Sequence, residues 1–224
     1  MTTSVDSTLK QQTLGHLALH YRPGDEQAAR RLLEMLGFSL VDNGPKPGED
    51  GFCTVLVDPG SANHADNIMF LSQLTPAQQA LEDAIREQLH IGQADEHPAV
   101  TEFRDLRTEK PESAAHIGLR YGSFDALEQA LVAIQGEAGP GGLFEGRVTV
   151  TKYPPRPGLD ADVDARIAAS PIFTGDEPPS FGKHWVQCFI RTDLFGFGIL
   201  AFGQTIELDY VFEPFFAAPP TFGR

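Results

Sequence analysis

Residues 15–21 read GHLALHY, and 100 positions further along the chain residues 115–121 read AHIGLRY. In both segments large apolar residues alternate with small or polar ones, which is the period of a β-strand that buries one face. Histidine stands at the same place in each segment, as His16 and His116, so the two align without a gap. The sequence therefore predicts an internal repeat that begins with these two strands.

An amphipathic helix is predicted after each of these strands, over residues 25–36 and residues 123–135. Each helix begins at a residue type that caps N-termini and is followed by glycine, which favours the left-handed conformation at helix ends. Each also carries an apolar stripe that is expected to be buried. The capping residues are Asp25 and Ser123, the glycines are Gly37 and Gly136, and the stripes are Ala29, Leu32, Leu33 and Leu36, then Leu127, Ala130, Leu131 and Ile134.

Three further strands are predicted downstream of each helix. CTVLVD at residues 53–58 aligns with CFIRTD at residues 188–193, and on the same alignment Met69 corresponds to Glu207. One such strand-helix-three-strand unit cannot bury both faces of its sheet. The predicted fold class is therefore α+β, with two tandem βαβββ modules that form a curved mixed sheet around a cavity. The downstream strands are residues 39–42, 52–58 and 67–73, then 147–153, 185–193 and 205–212.

The predicted domain organisation follows from this repeat. Thr75 and Pro76 predict the start of a linker helix that runs to residue 89. Residues 154–183 form an insertion rich in Pro, Asp and Gly, which is interpreted as a substrate lid, a dimer arm or a plain surface insertion. LFGFGILAFG at residues 194–203 and the Phe-rich tail predict a hydrophobic cavity mouth or a subunit interface. The boundaries are 13–74 for the first module, 75–112 for the helical linker, 113–213 for the second module with its insertion at 154–183, and 214–224 for the tail.

Composition excludes several kinds of partner. Lys and Arg total 17 against 31 Asp and Glu, a formal net charge of -14, so the surface should repel nucleic acids and anionic membranes. The sequence shows neither a signal peptide nor an apolar run of membrane-spanning length, and a cytoplasmic location is expected. Cys53 and Cys188 lack CxxC spacing and are expected to be buried thiols. The expected partners are a small-molecule substrate and a second copy of the chain in a homodimer.

These motifs resemble the vicinal oxygen chelate superfamily, which includes glyoxalase I, extradiol dioxygenases, methylmalonyl-CoA epimerase and the fosfomycin and bleomycin resistance proteins. The resemblance covers most of residues 13–213 and is carried by GHLALHY, LLEMLGF, AHIGLRY and TIELDYVF. In that superfamily, the histidine of a module's first strand and the glutamate of its last strand bind a divalent metal. The resemblance therefore implies His16, His116 and Glu207 as metal ligands.

Strand geometry and ligand chemistry narrow this interpretation. His16 and His20 share a strand face but lie about 13 Å apart, too far to bind one ion. Met69, the predicted counterpart of Glu207, is a poor ligand for a hard divalent ion. Two histidines and one carboxylate leave open positions on the ion, which is typical of non-haem Fe(II) oxygenases. Fe(II) is therefore the favoured cofactor, with Mn, Zn or Ni as alternatives. The competing interpretation is that these side chains only line a wet cavity.

Further polar residues are candidates for substrate contacts and catalysis. His20 and Arg120 occupy equivalent cavity-facing positions, and Asp209 shares a strand face with Glu207, so all three are predicted to bind substrate. For His20 and Arg120, an exposed role at a strand end fits equally well. Tyr153 and His184 are candidate acid-base groups, although a single His or Tyr is more often structural. His64, in the loop at residues 60–66, is expected to face solvent.

The favoured functional prediction is a metal-dependent oxidoreductase, an Fe(II)-dependent extradiol-like dioxygenase that acts on a small aromatic or vicinal-oxygen substrate. Two alternatives stay open. One is a glyoxalase-like lyase or isomerase, and the other is a non-catalytic protein that sequesters an aromatic or antibiotic ligand. The intact set of two histidines and one glutamate favours an enzyme, because sequestration requires no metal.

Overall fold

A computed structural model describes residues 15–44, 52–60, 67–180, 182, 184–196 and 201–212. These residues form an α+β fold with five α-helices and two mixed sheets of five and four strands. None of the helices in these ranges has the length and apolar character that a bilayer crossing requires. The elements in chain order are β1 (His16–Tyr21), α1 (Glu26–Met35), β2 (Ser39–Asp42), β3 (Cys53–Leu56), β4 (Ile68–Gln73), α2 (Pro76–Gln88), α3 (Pro98–Glu109), β5 (Ile117–Arg120), α4 (Phe124–Ala138), β6 (Val148–Tyr153), α5 (Ala161–Ala168), β7 (Trp185–Thr192), β8 (Phe195–Gly196) and β9 (Gln204–Val211).

The two sheets repeat one arrangement of strands. The first has the order β2-β3-β4-β1-β8, and the second has the order β6-β7-β9-β5. In the first, β1 runs parallel to β4 while the β4–β3 and β3–β2 pairs are antiparallel. In the second, β5 runs parallel to β9 while the β9–β7 and β7–β6 pairs are antiparallel. The short strand β8 pairs with β1, so the second half of the chain completes the edge of the first sheet.

The two amphipathic helices form the centre of the core. α1 packs against α4, and one cluster of buried side chains takes residues from both helices and both sheets. Across this contact, the Tyr121 hydroxyl donates to the carbonyl oxygen of Leu36 at 2.9 Å. The predicted burial of both apolar stripes is confirmed, since all eight residues are at most 7% exposed: Ala29, Leu32, Leu33, Leu36, Leu127, Ala130, Leu131 and Ile134.

The predicted ends of these helices are correct in part. Ser123 caps α4 by accepting from the backbone N–H of Ala126 at 3.1 Å, and Gly37 follows α1 with a φ of 92°. Asp25 precedes α1, but its side chain does not cap the helix, because its carboxylate binds Arg147 instead. The prediction that α4 ends at Gly136 is wrong. The helix continues to Ala138, and packing Ala138 against the core offsets the roughly 1 kcal/mol that an interior glycine costs.

The strand registers correct one residue of the predicted alignment. Glu207 lies beside Gly118 in the second sheet. Ala18, which occupies in β1 the place that Gly118 occupies in β5, lies beside Phe70. The counterpart of Glu207 is therefore Phe70, and the alignment of Met69 with Glu207 is wrong by one position. A one-residue shift moves a side chain to the opposite sheet face, and Met69 accordingly lies in the core at 4% exposure.

The registers agree with the predicted alignment of the two cysteines. Cys53 lies beside one leucine in β4, and Cys188 lies beside the corresponding leucine in β9. Both cysteines are free thiols, as predicted, and they are 3% and 0% exposed. Burial raises the pKa of each thiol, so neither is primed as a nucleophile. The two leucines, Leu71 and Leu208, pair in turn with Leu19 and Leu119.

The segments outside the sheets contain more helix than the sequence predicts. The linker holds two helices, α2 and α3, where one was expected. The predicted start of α2 is confirmed, because Thr75 and Gln78 form a reciprocal capping box and Pro76 opens the helix. The insertion at 154–183 contains the unpredicted helix α5. The loop with His64, the tail at 214–224 and residues 197–200 of the apolar segment lie outside the described residues.

Candidate functional site

One face of the second sheet gathers polar side chains. Alternate residues of β7 and β9 point toward α4 and are buried in the core, as Cys188 and Leu208 illustrate. The residues between them share the opposite face, and strand pairing places them in adjacent rows. This polar face carries Arg120 on β5, Thr205, Glu207 and Asp209 on β9, Trp185, Gln187, Phe189 and Arg191 on β7, and Thr149, Thr151 and Tyr153 on β6.

His116 and Glu207 contact each other on this face. His116 directly precedes β5, and its Nε2 lies 2.9 Å from Oε2 of Glu207. Its Nδ1 lies 2.8 Å from the carbonyl oxygen of Ala114, which can only accept, so Nδ1 carries a proton. Nε2 therefore meets a carboxylate oxygen, and two lone pairs at this distance repel unless a proton or a metal cation lies between them. The 7% exposed Glu207 also needs a positive partner. The contact is therefore either a hydrogen-bonded ion pair or two ligands of one cation.

The spacing of this pair fits two ligands of one divalent ion. Bonds of roughly 2.1 Å to nitrogen and oxygen place neighbouring ligand atoms about 3 Å apart. The second carboxylate oxygen of Glu207 accepts from Nε2 of Gln187 at 2.6 Å. Such a hydrogen bond from outside the ligand shell fixes the orientation of a ligating carboxylate. His116 and Glu207 could thus hold a divalent ion, with Gln187 as the positioning residue.

Asp209 adds a second carboxyl group beside Glu207. It lies in register with Gln187 on one side and with Arg120 on the other. The indole N–H of Trp185 donates to Oδ1 of Asp209 at 2.9 Å. Burial, followed by the negative charge of Glu207, raises the pKa of Asp209 to about 6. Asp209 and Arg120, both predicted to bind substrate, therefore lie on the same face as the His116–Glu207 pair.

The first sheet carries a different contact at the corresponding position. His16 is exposed, and its ring centroid lies 5.1 Å from that of Phe70. Among the residues that the structure describes, no three His, Cys, Asp or Glu side chains are grouped to hold a metal ion. Of the predicted ligands, the structure thus brings His116 and Glu207 together, without His16. His20 contacts the Ser72 hydroxyl at 3.1 Å through Nδ1, and burial lowers its pKa.

The two candidate acid-base residues lie in different surroundings. Tyr153 lies in register with Gln187 on the polar face, and its ring packs edge-on against Phe189 with centroids 5.8 Å apart. Burial raises the pKa of the Tyr153 hydroxyl. His184 is 4% exposed, and its Nε2 lies 2.9 Å from Oδ2 of Asp160, which caps α5. The structure therefore places Tyr153 beside the candidate site and uses His184 to anchor the insertion helix.

Sequence reasoning missed three polar residues on or beside this face. Gln187 and Arg191 could have been found, because they alternate with the core residues of β7. Arg107 gave no comparable signal, since it lies in the unpredicted helix α3 and reaches the face through its hydrogen bond to Thr205 Oγ1 at 3.1 Å.

Comparison of the chain with models of known protein families, with curated proteins and with solved structures finds no match.

Proposed function

We propose that the chain is a metal-dependent enzyme of the vicinal oxygen chelate type, in which two βαβββ modules share one cavity. The carrying observation is the 2.9 Å contact between His116 Nε2 and Glu207 Oε2, with His116 Nδ1 already committed to a backbone carbonyl. His16 is the proposed third ligand. The matching strand orders of the two sheets support the modular part of the proposal.

Fe(II)-dependent dioxygenation of a small aromatic substrate is the proposed reaction. When bound, Fe(II) supplies Lewis acidity and electron transfer to O2. Phe189 is 1% exposed and packs between His116 and Tyr153 with centroid distances of 6.1 and 5.8 Å, so it holds these two rings in place beside the proposed substrate site. The hydroxyl of Tyr153 and the carboxyl of Asp209 offer hydrogen bonds to substrate oxygens. Their orientation on fixed strands lowers the entropic cost of aligning the reactants.

Metal content is the first test. Protein purified without a chelator or a histidine tag should contain about one divalent ion per chain by plasma mass spectrometry. His116→Ala and Glu207→Ala should lose it, whereas His20→Ala should retain it. His20 is the matched control, because it is also a strand histidine but contacts Ser72. Retention of metal by the His116→Ala variant would refute the assignment. If His16→Ala alone among the proposed ligands retains metal, the third ligand is another group.

Turnover is the second test. Anaerobically Fe(II)-loaded protein should consume O2 with at least one substituted catechol and give a coloured ring-opened product. Turnover of methylglyoxal–thiol adducts or of an epimerisable acyl thioester, with no O2 uptake across the catechols, would replace the dioxygenase proposal with a lyase or isomerase. Binding of aromatic ligands without any turnover would instead indicate sequestration.

A further inference from the structure

Four arginines line one cavity at the end of the polar face. The cavity has a volume of about 310 Å³ and lies between α3 and the β6–β7 hairpin. Threonines from both sides also line it, and the hydroxyl of the one on α3 donates to the carbonyl oxygen of Arg104. The residues are Arg104, Arg107, Arg147 and Arg191, with Thr108 and Thr149. Such a concentration of positive charge is unexpected in a chain of net charge -14.

Two of these arginines have carboxylate partners. Arg104 donates to Oε2 of Glu96 at 2.6 Å. Arg147 binds both oxygens of Asp25, at 2.5 and 2.8 Å, and Oδ1 of Asp193 at 2.8 Å. Asp193 is the carboxylate that lines the cavity, and its charge is compensated by Arg147. These ion pairs hold the cavity wall together. They also neutralise most of the negative charge on that wall.

Arg107 and Arg191 have neutral partners instead. Arg107 is 8% exposed and donates to the carbonyl oxygen of Phe202 at 2.6 Å and to Thr205. Arg191 donates to the hydroxyl of Thr108. Within the described ranges, neither guanidinium has an ion-pair partner, and the Nε of each is buried without a hydrogen bond. Burial, followed by the charge of Arg191, lowers the pKa of Arg107. A buried cation beside a half-buried one calls for a counter-ion.

We propose that this cavity binds an oxyanion, the carboxylate or phosphate group of a small molecule, through Arg107 and Arg191. A guanidinium presents a planar fork of N–H donors that matches two oxygens of such a group. Thr149 lines the same cavity, and the Nε–H group of each arginine has no hydrogen-bond partner among the described residues. Because Arg191 lies in register with Thr205, two residues from Glu207, the backbone rows of Arg191 and Glu207 are about 7 Å apart along the strand.

This proximity also suggests the substrate class, an inference that rests on the proposed function. The anion site and the His116–Glu207 pair occupy one sheet face, with Phe189 on the strand between Arg191 and Gln187. A single small molecule can therefore place an acidic group at Arg107 and Arg191 and its reactive oxygens at the metal. The substrate would be a small aromatic acid.

Calorimetric titration of the full chain tests the anion site without any turnover. Inorganic phosphate and benzoate are titrated into metal-free protein at constant ionic strength in chloride. At least one of them should bind saturably with one site per chain, and comparison of the two shows whether phosphate or carboxylate is preferred. Loss of a hydrogen bond to a charged group should weaken binding about 10- to 100-fold in Arg107→Gln and Arg191→Gln. No saturable binding of either anion would overturn the proposal.

Matched variants separate the anion site from general charge effects and from the metal. Arg104→Gln removes the same charge from the same cavity wall, but from an arginine that Glu96 already neutralises, so affinity should change less than about 3-fold. If Arg107→Gln fails to fold, the half-buried Arg191 provides the test: Arg191→Lys should bind more weakly than wild type and Arg191→Gln more weakly still. Wild-type affinity in folded Arg191→Gln would refute the site.

Variants of the proposed metal ligands allow the metal site and the anion site to be tested independently. Phosphate binding that persists in His116→Ala but is lost in Arg191→Gln supports the anion site, even if no metal binds to His116. The substrate assignment fails, with the anion site intact, if Arg191→Gln turns over aromatic acids with an unchanged KM.

Discussion

The ion pair between Arg22 and Glu82 should contribute much of the stability that holds the linker to the first sheet. Arg22 follows β1 and donates from Nε and Nη2 to Oε2 of Glu82 on α2, at 3.1 and 2.8 Å. Nη1 of Arg22 donates to the carbonyl oxygen of Asp193 after β7. The side chain of Glu82 is 0% exposed and that of Arg22 is 12% exposed. One buried charge pair thus connects three segments that are far apart in sequence.

The substitution Glu82→Gln keeps the shape of the side chain but leaves the buried Arg22 with only the carboxylate of Asp193, 4.0 Å away, as a counter-charge. Removing one partner of a buried pair costs about 3–5 kcal/mol, and we expect about 3 because glutamine still offers an acceptor. For a chain of this size the melting temperature should fall by roughly 6–12 °C. Urea unfolding followed by circular dichroism, with calorimetry, measures both quantities.

The matched control is Asp42→Asn. Asp42 accepts from Arg30 through both carboxylate oxygens, at 2.7 and 3.2 Å, but its side chain is 70% exposed. An exposed pair of this kind contributes little to stability, because solvent screens it. Equal losses of unfolding free energy in Glu82→Gln and Asp42→Asn would show that burial of the Arg22–Glu82 pair does not determine its energy. The reasoning would then be refuted.

Four further changes test the site and the packing around it. Gln187→Leu should weaken metal binding about 10- to 100-fold in a competition titration with a chelating dye, because the hydrogen bond that orients Glu207 is lost. Folding raises the pKa of Asp209 from 3.8 to about 6, so in metal-free wild-type protein its ionisation over this range lowers stability as pH rises. Urea unfolding at pH 4.5 and 7.5 measures this fall in unfolding free energy, which should be about 1–2 kcal/mol smaller in Asp209→Asn than in wild type. This value is already reduced because Asp209 is partly exposed. Ser123→Ala should cost about 1 kcal/mol of unfolding free energy, since it deletes the cap of α4. Arg166→Gln should speed hydrogen exchange in α5, because Arg166 joins that helix to Asp125 and Glu128 on α4.

The sequence predicts those elements that are determined by residues close together in the chain. Alternation in GHLALHY and the stripes of α1 and α4 follow from burial of one face, and they need no knowledge of distant contacts. β8 is not determined in this way, because its two residues become a strand only by pairing with β1. α3 and α5 carry few buried side chains, Val100 and Arg107 in one and Val163 in the other, so apolar spacing does not reveal them.

The one-residue error in the alignment has an equally specific origin. In β9 the sequence IELDY alternates apolar and acidic residues, so only one register buries the apolar set. In β4 the sequence IMFL is apolar throughout, and either parity could face the core. Pairing with β1 settles the choice by placing Met69 beside Leu17. The resemblance suggested Glu207 as a site residue, and the clear alternation of β9 was enough to predict which face of the sheet it occupies.

The two sheets show how one strand position can serve packing or chemistry. His16 packs on Phe70 in the first sheet, whereas His116 meets Glu207 at the corresponding place in the second. The second contact buries a carboxylate beside Asp209, about 7 Å along the strand from the Arg191 row. There, Arg107 and Arg191 have no ion-pair partner among the residues that the structure describes. Low-dielectric surroundings strengthen the electrostatic interactions of each of these charges. A ligand that brings an oxyanion to the arginines and a cation-bound oxygen to Glu207 would compensate both ends at once, and for that reason the proposed anion site and the proposed substrate site share one face of the second sheet.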